Sequence, residues 1–266
     1  MALYPGMADP DAASDGTRFR VLDDGAAVDE ERLAGLYGYP TGLSGPWVRA
    51  NVIAALDGGA VSDGKSGGLG GPGDRQVFGV LRELADVILV GAGTARTETY
   101  SGARMSAGQR QARHRRSQPE VPPIALVTRS AALDRDLPVL TDTEVPPLVL
   151  TCADAADGAR RRLGAAAVVL DCSAGDPGQV DMAAALARLA GRGLLRVLTE
   201  GGPTLLGALI GADLLDEMCL TVAPVLVGGD GPRVTAGGAE VLSRMRRAHL
   251  LADTDGYLYG RYTRAR

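Results

Sequence analysis

The stretch from Leu194 to Ile210 constrains this chain most, because it joins an apolar run to a helical pattern through two glycines. Leu194 to Thr199 is short and apolar, which is typical of a buried strand. Gly201 and Gly202 interrupt the run, and Pro203 stands where a helix makes its first turn. A strand, a glycine turn and a helix start direct free backbone N–H groups and a positive helix end toward an anion. The same pattern also occurs as a tight connection that binds nothing, so alone it leaves both interpretations open.

A second stretch repeats this pattern and favours the anion-binding interpretation. Asp86 to Gly91 is another apolar strand, and a turn that contains Gly93 follows it and ends at Thr94, a suitable helix N-cap. Two such turns, each after an apolar strand, predict a dinucleotide whose pyrophosphate lies between two helix starts. The single-site pattern G-x-G-x-x-G is not present, because Arg96 follows and no third glycine comes after it.

Composition narrows the functional class. The chain of 266 residues has a net charge of −4, which argues against nucleic acid or an anionic membrane as its main partner. Its apolar runs are too short to span a bilayer. The cysteines (Cys152, Cys172, Cys219) and the histidines (His114, His249) are too scattered for a metal site. We therefore expect a cytoplasmic enzyme without a metal, with reduced cysteines in its core.

The order of predicted elements indicates an α/β fold. Apolar strands alternate with helical patterns through the middle of the chain, where Trp47 to Leu56 is the first strong strand and Asp74 to Leu84 is a helix. Two terminal strands, roughly Arg246 to Leu251 and Tyr257 to Tyr262, are expected to form an antiparallel hairpin. This order predicts one mixed, mostly parallel central sheet flanked by helices, with an antiparallel C-terminal edge.

The first part of the chain is predicted to differ from the rest. Residues 1–17 are small and polar and contain Pro and Gly, so we expect a flexible tail. Residues 18–266 are expected to form a single domain, of which 18–46 is an N-terminal extension. Within this extension, Phe19 to Leu22 predicts a short strand and Val28 to Tyr37 predicts a helix.

Four segments, in this order, match a known family. They are Asn51 to Gly58, Val90 to Thr94, Val127 to Ser130 and Glu200 to Leu205. On these segments the chain resembles the reductase domain of riboflavin biosynthesis, which has a dihydrofolate-reductase-like fold and uses NADPH. More closely, it is similar to stand-alone actinobacterial pyrimidine reductase-like proteins, and the zinc signature of the family's deaminase domain is absent here. The resemblance implies a homodimer that acts on a small molecule.

The resemblance also implies which residues hold NADPH. Those around its pyrophosphate and nicotinamide are Gly91, Gly93, Thr94, Gly201, Gly202 and Thr204. Thr128, Arg129 and Ser130 follow a strand and are expected at the adenosine 2′-phosphate. The chemistry of these side chains supports the same assignment, because a guanidinium and two hydroxyl groups can all donate hydrogen bonds to a phosphate monoester. The alternative is a polar turn that binds nothing.

The reacting ring is expected to meet polar residues at the strand ends. Asn51, Asp57 and Glu200 face it by resemblance, and Asp57 and Glu200 are the candidates for catalysis. Asp57 has an alternative role as the cap of an Asp-Gly turn. Asp74 is either a helix N-cap, which we favour, or a contact to a pteridine-like ring, by analogy with the acidic residue of folate reductases.

The segment after the first glycine turn departs from the family. Riboflavin reductases usually carry Asp-x-Pro after the first glycine turn, where polar groups bind the ribose phosphate, whereas this chain has Thr97 to Tyr100. Glu98 and Arg104 are the residues expected to bind substrate there instead. Arg104 belongs to a basic stretch from Ser101 to Pro119, whose simpler interpretation is a solvated surface.

The predicted function is NADPH-dependent reduction of a ribosylamino-pyrimidine, with 5-amino-6-(5-phosphoribosylamino)uracil as the leading substrate. Hydride passes from C4 of the nicotinamide to an imine-type carbon of the bound ring or of a ring-opened sugar. One alternative is reduction of dihydrofolate or a pterin in the same pocket. Another is a non-catalytic protein that binds NADPH or a pyrimidine as a sensor.

Replacing Arg129 tests the cofactor prediction. We expect Arg129→Ala to weaken the binding of NADPH much more than that of NADH, because only NADPH carries the 2′-phosphate that a guanidinium binds. Dissociation constants for both nucleotides measure this difference. An equal loss for both would show that Arg129 has only a structural role.

Overall fold

A computed structural model describes residues 18–22, 25–238 and 240–265 of the chain. The flexible tail predicted for residues 1–17 lies outside the described residues. Eleven strands of the described chain form one sheet. In chain order they are β1 (Phe19–Val21), β2 (Ala27–Val28), β3 (Trp47–Ala55), β4 (Val87–Gly91), β5 (Ile124–Val127), β6 (Leu148–Thr151), β7 (Val168–Asp171), β8 (Arg196–Thr199), β9 (Glu217–Ala223), β10 (Met245–Ala252) and β11 (Leu258–Arg264).

The sheet is parallel over most of its width. Its spatial order is β2-β1-β10-β11-β9-β3-β8-β4-β5-β6-β7. Neighbours from β9 to β7 run parallel, and those from β9 to β2 run antiparallel. The predicted fold class, a mixed and mostly parallel sheet with an antiparallel C-terminal edge, is therefore confirmed.

Helices cover both faces of this sheet. They are α1 (Glu30–Leu36), α2 (Pro72–Leu84), α3 (Ala92–Thr97), α4 (Ala107–Arg115), α5 (Pro138–Thr141), α6 (Ala153–Leu163), α7 (Met182–Ala190) and α8 (Pro203–Gly211). Along β4, Ile88 and Val90 belong to one buried cluster and Val87 and Leu89 to another. Because side chains alternate between the two faces of a strand, both faces of β4 are buried, as expected for a central parallel strand.

The helix of the N-terminal extension begins two residues later than the sequence predicts. It begins at Glu30 rather than Val28, because the Asp29 carboxylate accepts a hydrogen bond from the Arg32 N–H at 2.8 Å and caps the helix there. Val28 instead ends β2, which pairs with β1. Since β1 pairs with β10, the extension adds strands to the antiparallel edge.

A buried ionic cluster attaches the extension to the sheet. The Glu217 carboxylate, at the start of β9, accepts hydrogen bonds from Nε of Arg49 at 2.5 Å and Nε of Arg261 at 2.8 Å. It also accepts one from Nε1 of Trp47 at 3.0 Å. Arg49 and Arg261 both donate to the carbonyl of Gly38, just after α1. One carboxylate thus connects three strands of the sheet to the end of the extension.

The charge on Glu217 links stability to pH. Burial alone would raise its pKa, but Arg49 and Arg261 outweigh burial and the pKa of Glu217 lies below its ordinary value. A lowered folded-state pKa stabilises the native state above the ordinary glutamate value of about 4.3, and this stabilisation is lost as pH falls below it.

Glu217→Gln should therefore lower the free energy of unfolding at neutral pH by about 3–5 kcal/mol, because it leaves a buried guanidinium without its carboxylate. The difference from the wild type should shrink as the pH falls below about 4.3. Denaturant unfolding at a series of pH values measures it. The exposed Glu120, changed to Gln, is the control, and a pH-independent difference would contradict the assignment.

Candidate active site

The two glycine turns lie side by side at one edge of the sheet. Strands β4 and β8 are parallel neighbours, with Leu89 in register with Thr199. Beyond them, the N–H of Glu200 donates to the carbonyl of Leu89 at 3.0 Å, and the N–H of Gly91 donates to the carbonyl of Gly201 at 2.9 Å. The structure thus brings together the two turns that the sequence analysis placed around a pyrophosphate.

Glycine is required in the second turn for two different reasons. Gly201 has a φ of +88°, a conformation that side chains rarely adopt. A Cβ on Gly202 would collide with the hydroxyl oxygen of Thr94. Thr94 is not the N-cap that the sequence predicted, because α3 already starts at Ala92 and Gly91 is its cap residue. Thr94 instead lies in the first turn of α3 and packs against Gly202.

A cavity of about 370 Å³ opens beside these turns. Eight of the predicted site residues line it: Asn51, Asp74, Gly93, Thr94, Glu98, Glu200, Gly201 and Gly202. The predicted residues that do not line it are Asp57, Gly91, Arg104, Thr128, Arg129, Ser130 and Thr204. Among the described residues that form its wall there is no Lys, Arg or His, whereas three are carboxylates.

Helix α2 brings Asp74 to the cavity. The helix begins at Pro72 with Gly71 as its cap residue, so the favoured interpretation of Asp74 as the N-cap is wrong. Asp74 is the third helical residue, and it is buried. The start of α2 packs closely against the residue that precedes β11, because a Cβ on Gly71 would lie 2.8 Å from the ring of Tyr257. The favourable interaction of a carboxylate with the positive helix end stabilises Asp74 in this position.

Glu200 is held in place by a buried ion pair. Its two carboxylate oxygens accept hydrogen bonds from Nε and Nη2 of Arg82, each at 2.7 Å. The Tyr100 hydroxyl donates to the same carboxylate at 2.8 Å, and burial followed by the charge of Glu200 raises the pKa of Tyr100 well above its ordinary value. The side chains of Arg82 and Glu200 are 6% and 2% exposed. Glu200 is thus a fixed anion in the wall of the cavity.

Sequence reasoning missed Arg82, Phe78 and Tyr100. Asp74, Phe78 and Arg82 are spaced four residues apart on α2, so they share one face of the helix. The Arg82 guanidinium lies 4.2 Å from the centre of the Phe78 ring, which lines the cavity. This spacing of a carboxylate, an aromatic ring and an arginine is a signal that the sequence contains.

The segment after α3 directs two side chains toward the cavity. The N–H of Thr99 bonds to the carbonyl of Arg96, and that of Tyr100 to the carbonyl of Ala95, which closes the helix end. Thr99 has a φ of +54°, an unfavourable value for a β-branched residue. On either side of it, Glu98 and Tyr100 line the cavity. Oε1 of Glu98 accepts hydrogen bonds from the N–H and the hydroxyl of Ser66, at 2.9 and 3.1 Å.

Asp57 and Arg104 have other partners. The exposed Asp57 carboxylate accepts hydrogen bonds from the N–H groups of Val227, at 3.0 Å, and Gly228, at 2.6 Å, and the Gly228 N–H is the main group that lowers the pKa of Asp57. Oδ1 of Asp57 accepts a hydrogen bond from the N–H of Gly59 at 3.4 Å, which matches the alternative in which Asp57 caps its own Asp-Gly turn. Arg104 pairs with Asp142 and, at 3.8 Å, with Glu144, which matches the surface interpretation of its basic stretch.

The turn after β5 lies next to the first glycine turn. Val127 is in register with Gly91, so Thr128 to Ser130 follow at the same edge of the sheet. The Thr128 hydroxyl accepts a hydrogen bond from the N–H of Ala131 at 3.1 Å, and the side chain of Arg129 is exposed. The described residues include no helix long and apolar enough to cross a bilayer and no group of three or more potential metal ligands.

Comparison with known proteins gives the class of this chain. The 2,5-diamino-6-ribosylamino-4(3H)-pyrimidinone 5′-phosphate reductase of Archaeoglobus fulgidus is 30% identical over 195 residues, which are 72% of this chain and 87% of the relative. The reductase of the same name from Methanothermobacter thermautotrophicus is 27% identical over 194 residues, with 73% of this chain and 84% of the relative covered. By class, the chain is a reductase.

The family follows from a further match. Residues 46–259 match the model of the RibD C-terminal domain, and the chain belongs to that family. A solved structure of a pyrimidine reductase-like protein from Corynebacterium diphtheriae has the same fold, with a TM-score of 0.72 and 26% identity, and the match covers 83% of this chain and 92% of that one. The resemblance seen in the four sequence segments is thereby confirmed.

Breaking the Arg82–Glu200 pair tests its importance. Arg82→Met should lower the free energy of unfolding by about 3–5 kcal/mol, because it leaves the Glu200 carboxylate buried without its cation. The exposed pair of Arg160 and Asp157 offers a control, and Arg160→Gln should cost less than about 1 kcal/mol. Denaturant unfolding measures both variants. Equal small losses of unfolding free energy would contradict the claim that Arg82 stabilises the buried Glu200 carboxylate.

Proposed function

We propose that this protein is an NADPH-dependent reductase of a ribosylamino-pyrimidine 5′-phosphate in riboflavin biosynthesis. One observation carries the proposal: the cavity is lined both by residues of the two joined glycine turns and by the polar side chains of Asn51, Asp74 and Glu98. The names of the relatives support the class of substrate. The substrate's ring is either the uracil expected from the sequence or the diaminopyrimidinone of those names.

The residues of the two turns fit a dinucleotide. The first N–H groups of a helix have no partner within the helix, and α3 and α8 begin side by side at Ala92 and Pro203. A side chain on Gly93 would point into open space, so the backbone there is accessible. Gly91, Gly93, Thr94, Gly201, Gly202 and Thr204 would hold the pyrophosphate and nicotinamide, and Thr128, Arg129 and Ser130 the 2′-phosphate.

Bound NADPH would supply the hydride that reduces C1′ of the ribosylamino group. The C1′–O4′ bond opens as a proton moves from nitrogen to O4′, and a solvent proton on nitrogen completes the ribitylamino product. The protein's part is to bind the ring and orient C1′. Asn51, Asp74 and Glu98 are the polar residues of the wall that we assign to the ring and its substituents.

Glu200 acts in this scheme through its partners. Both of its oxygens already accept hydrogen bonds from Arg82, and one of them also accepts a hydrogen bond from the Tyr100 hydroxyl. We therefore assign it the role of positioning Tyr100 and the turn that precedes α8. Asp57, which contacts the 227–228 backbone outside the cavity, is assigned to the turn rather than to catalysis.

We also propose that the protein is a cytoplasmic homodimer. The three free cysteines of the described chain support a reducing compartment. Large apolar side chains on the surface, Leu56, Leu226 and Leu242 among them, support a contact with a second copy.

A second candidate substrate is dihydrofolate or another pterin. The specific observation in its favour is that no Lys, Arg or His is among the described residues lining the cavity, so no cation there would hold a substrate phosphate. Arg104, the residue expected to bind that phosphate, is paired with Asp142 and Glu144 instead.

A turnover assay separates the two substrates. The purified protein with NADPH should oxidise the cofactor in the presence of a ribosylamino-pyrimidine 5′-phosphate and release the ribitylamino product, followed by nicotinamide absorbance and by mass spectrometry of the product. Turnover of dihydrofolate alone would replace the main proposal with the second candidate. Nucleotide binding without turnover of either compound would favour the non-catalytic sensor.

A further inference from the structure

The turn that follows β5, residues 128–132, is held by hydrogen bonds from the neighbouring strand. Strand β6 lies beside β5 and ends at Thr151. The Thr151 hydroxyl donates to the carbonyl of Arg129 at 3.1 Å, and the Cys152 thiol donates to the same oxygen at 3.1 Å. Thr151 and Cys152 are both buried. Two buried side chains thus turn one carbonyl of an otherwise exposed residue toward the interior of the protein.

The direction of that carbonyl fixes the direction of the next N–H group. The peptide bond between Arg129 and Ser130 is trans. In a planar trans peptide the C=O and the N–H point in opposite directions. The N–H of Ser130 therefore points away from Thr151, toward the exposed side of the turn. It donates to no acceptor within the part of the chain that the structure describes, so it is available to a ligand.

The side chains of the turn are also left with hydrogens to donate. The Thr128 hydroxyl accepts a hydrogen bond from the N–H of Ala131 at 3.1 Å, and the Ser130 hydroxyl accepts one from the N–H of Ala132 at 3.3 Å. A hydroxyl that accepts a hydrogen bond still has its own hydrogen to donate. With the exposed guanidinium of Arg129, the turn presents a set of donors that suits a phosphate.

The backbone of the turn depends on contacts with its surroundings. Ala131 adopts a φ of +48°, which is unfavourable for a residue other than glycine. Such a conformation persists only where neighbouring groups hold it. The carbonyl of Ala131 accepts hydrogen bonds from the side chain of Arg162 and, at 2.8 Å, from the N–H of Leu133. Since contacts rather than local preference set this conformation, the loss of one contact can change it.

We propose that Thr151, together with Cys152, is a positioning residue that makes the protein select NADPH over NADH. Thr151 keeps the Arg129–Ser130 peptide turned so that its N–H, and not its carbonyl, faces the 2′-phosphate. The inference rests on the proposed function, which assigns this turn to that phosphate. A reversed peptide would direct a carbonyl oxygen at the phosphate, so two acceptors would face each other. The 2′-hydroxyl of NADH can accept from an N–H or donate to a carbonyl, so it tolerates both orientations.

Removing the Thr151 hydroxyl tests this selection. We expect Thr151→Val to raise the dissociation constant of NADPH about tenfold, the lower limit for a hydrogen bond to a charged group, and that of NADH less than about twofold. Thr151→Ser keeps the hydroxyl and should keep the ratio of the wild type. Removal of both donors, in Thr151→Val with Cys152→Ala, should lower the preference further. Thr221→Val, at a buried threonine of β9, is the matched control. Calorimetry without substrate measures both dissociation constants.

A spectrum of the wild type gives a second readout, which stands even if the valine variant does not fold. The protein is labelled with nitrogen-15 in its serines and titrated with adenosine 2′,5′-bisphosphate or with adenosine 5′-monophosphate, which lacks the 2′-phosphate. The amide signal of Ser130 should move strongly downfield with the bisphosphate only. Ser130→Ala removes this signal and so assigns it.

Three results would overturn the proposal. They are an equal loss of affinity for both cofactors in Thr151→Val, an unchanged preference in that variant, and an amide signal of Ser130 that does not respond to the 2′-phosphate. Arg129→Ala separates this failure from failure of the proposed function. If Arg129→Ala removes the preference for NADPH and Thr151→Val does not, the turn binds the phosphate without help from Thr151. If the wild type binds NADPH and NADH equally well, the assignment of this turn to a 2′-phosphate is wrong as well.

Discussion

The candidate site depends on the buried ion pair between Arg82 and Glu200. Glu200 directly follows β8, and Arg82 lies in the last turn of α2, so the pair joins the helix to the strand end that begins the second glycine turn. Tyr100, which follows α3, donates to the same carboxylate. Three segments that form the cavity wall thus meet at one anion. A buried pair of this kind contributes little net stability compared with an apolar contact, but removing one partner is costly, so it fixes the arrangement.

A second buried carboxylate acts in the opposite half of the same sheet. Glu217 connects Arg49 of β3 and Arg261 of β11 to the carbonyl of Gly38 in the extension. Further along β3, Asn51 to Ile53 line the cavity. Strand β3 is therefore held by charges near its start and lines the cavity further along. Strand β3 pairs with β8 on one side and with β9 on the other. Glu200 directly follows β8 and Glu217 begins β9, so both carboxylates help to fix how these strands pair with β3.

The sequence was sufficient to predict the features that depend on local patterns. The strand and glycine turn at Asp86 to Thr94 and the later turn at Gly201 were recognisable because apolar runs and glycines are local signals, and the parallel centre of the sheet followed from the alternation of strands and helices. The start of α2 was placed two residues too late, although Pro72 at its first position is a known start signal. The acidic Asp74 was misleading, because carboxylates are common both at the cap and in the first turn.

Features that join distant segments were not predictable. Arg82 and Glu200 are separated by 118 positions, and Arg104 pairs with Asp142 across 38 positions. Nothing local indicates that Arg104 is used by those acids rather than by a phosphate. The partners of Asp57 were equally unpredictable, because Val227 and Gly228 lie in a distant loop. That the described residues of the cavity wall include no Lys, Arg or His, on which the choice of substrate depends, emerges only from the folded arrangement.

Transfer of an isotope tests the central claim most directly, namely that the cavity at the joined glycine turns presents C1′ of a ribosylamino-pyrimidine to the nicotinamide. The protein is incubated with the ribosylamino-pyrimidinone phosphate and NADPH carrying deuterium at the transferable position of C4, and the product is examined by NMR. The account predicts one deuterium at C1′ of the ribitylamino chain. A product without deuterium at C1′, or deuterium on a ring carbon, would contradict it.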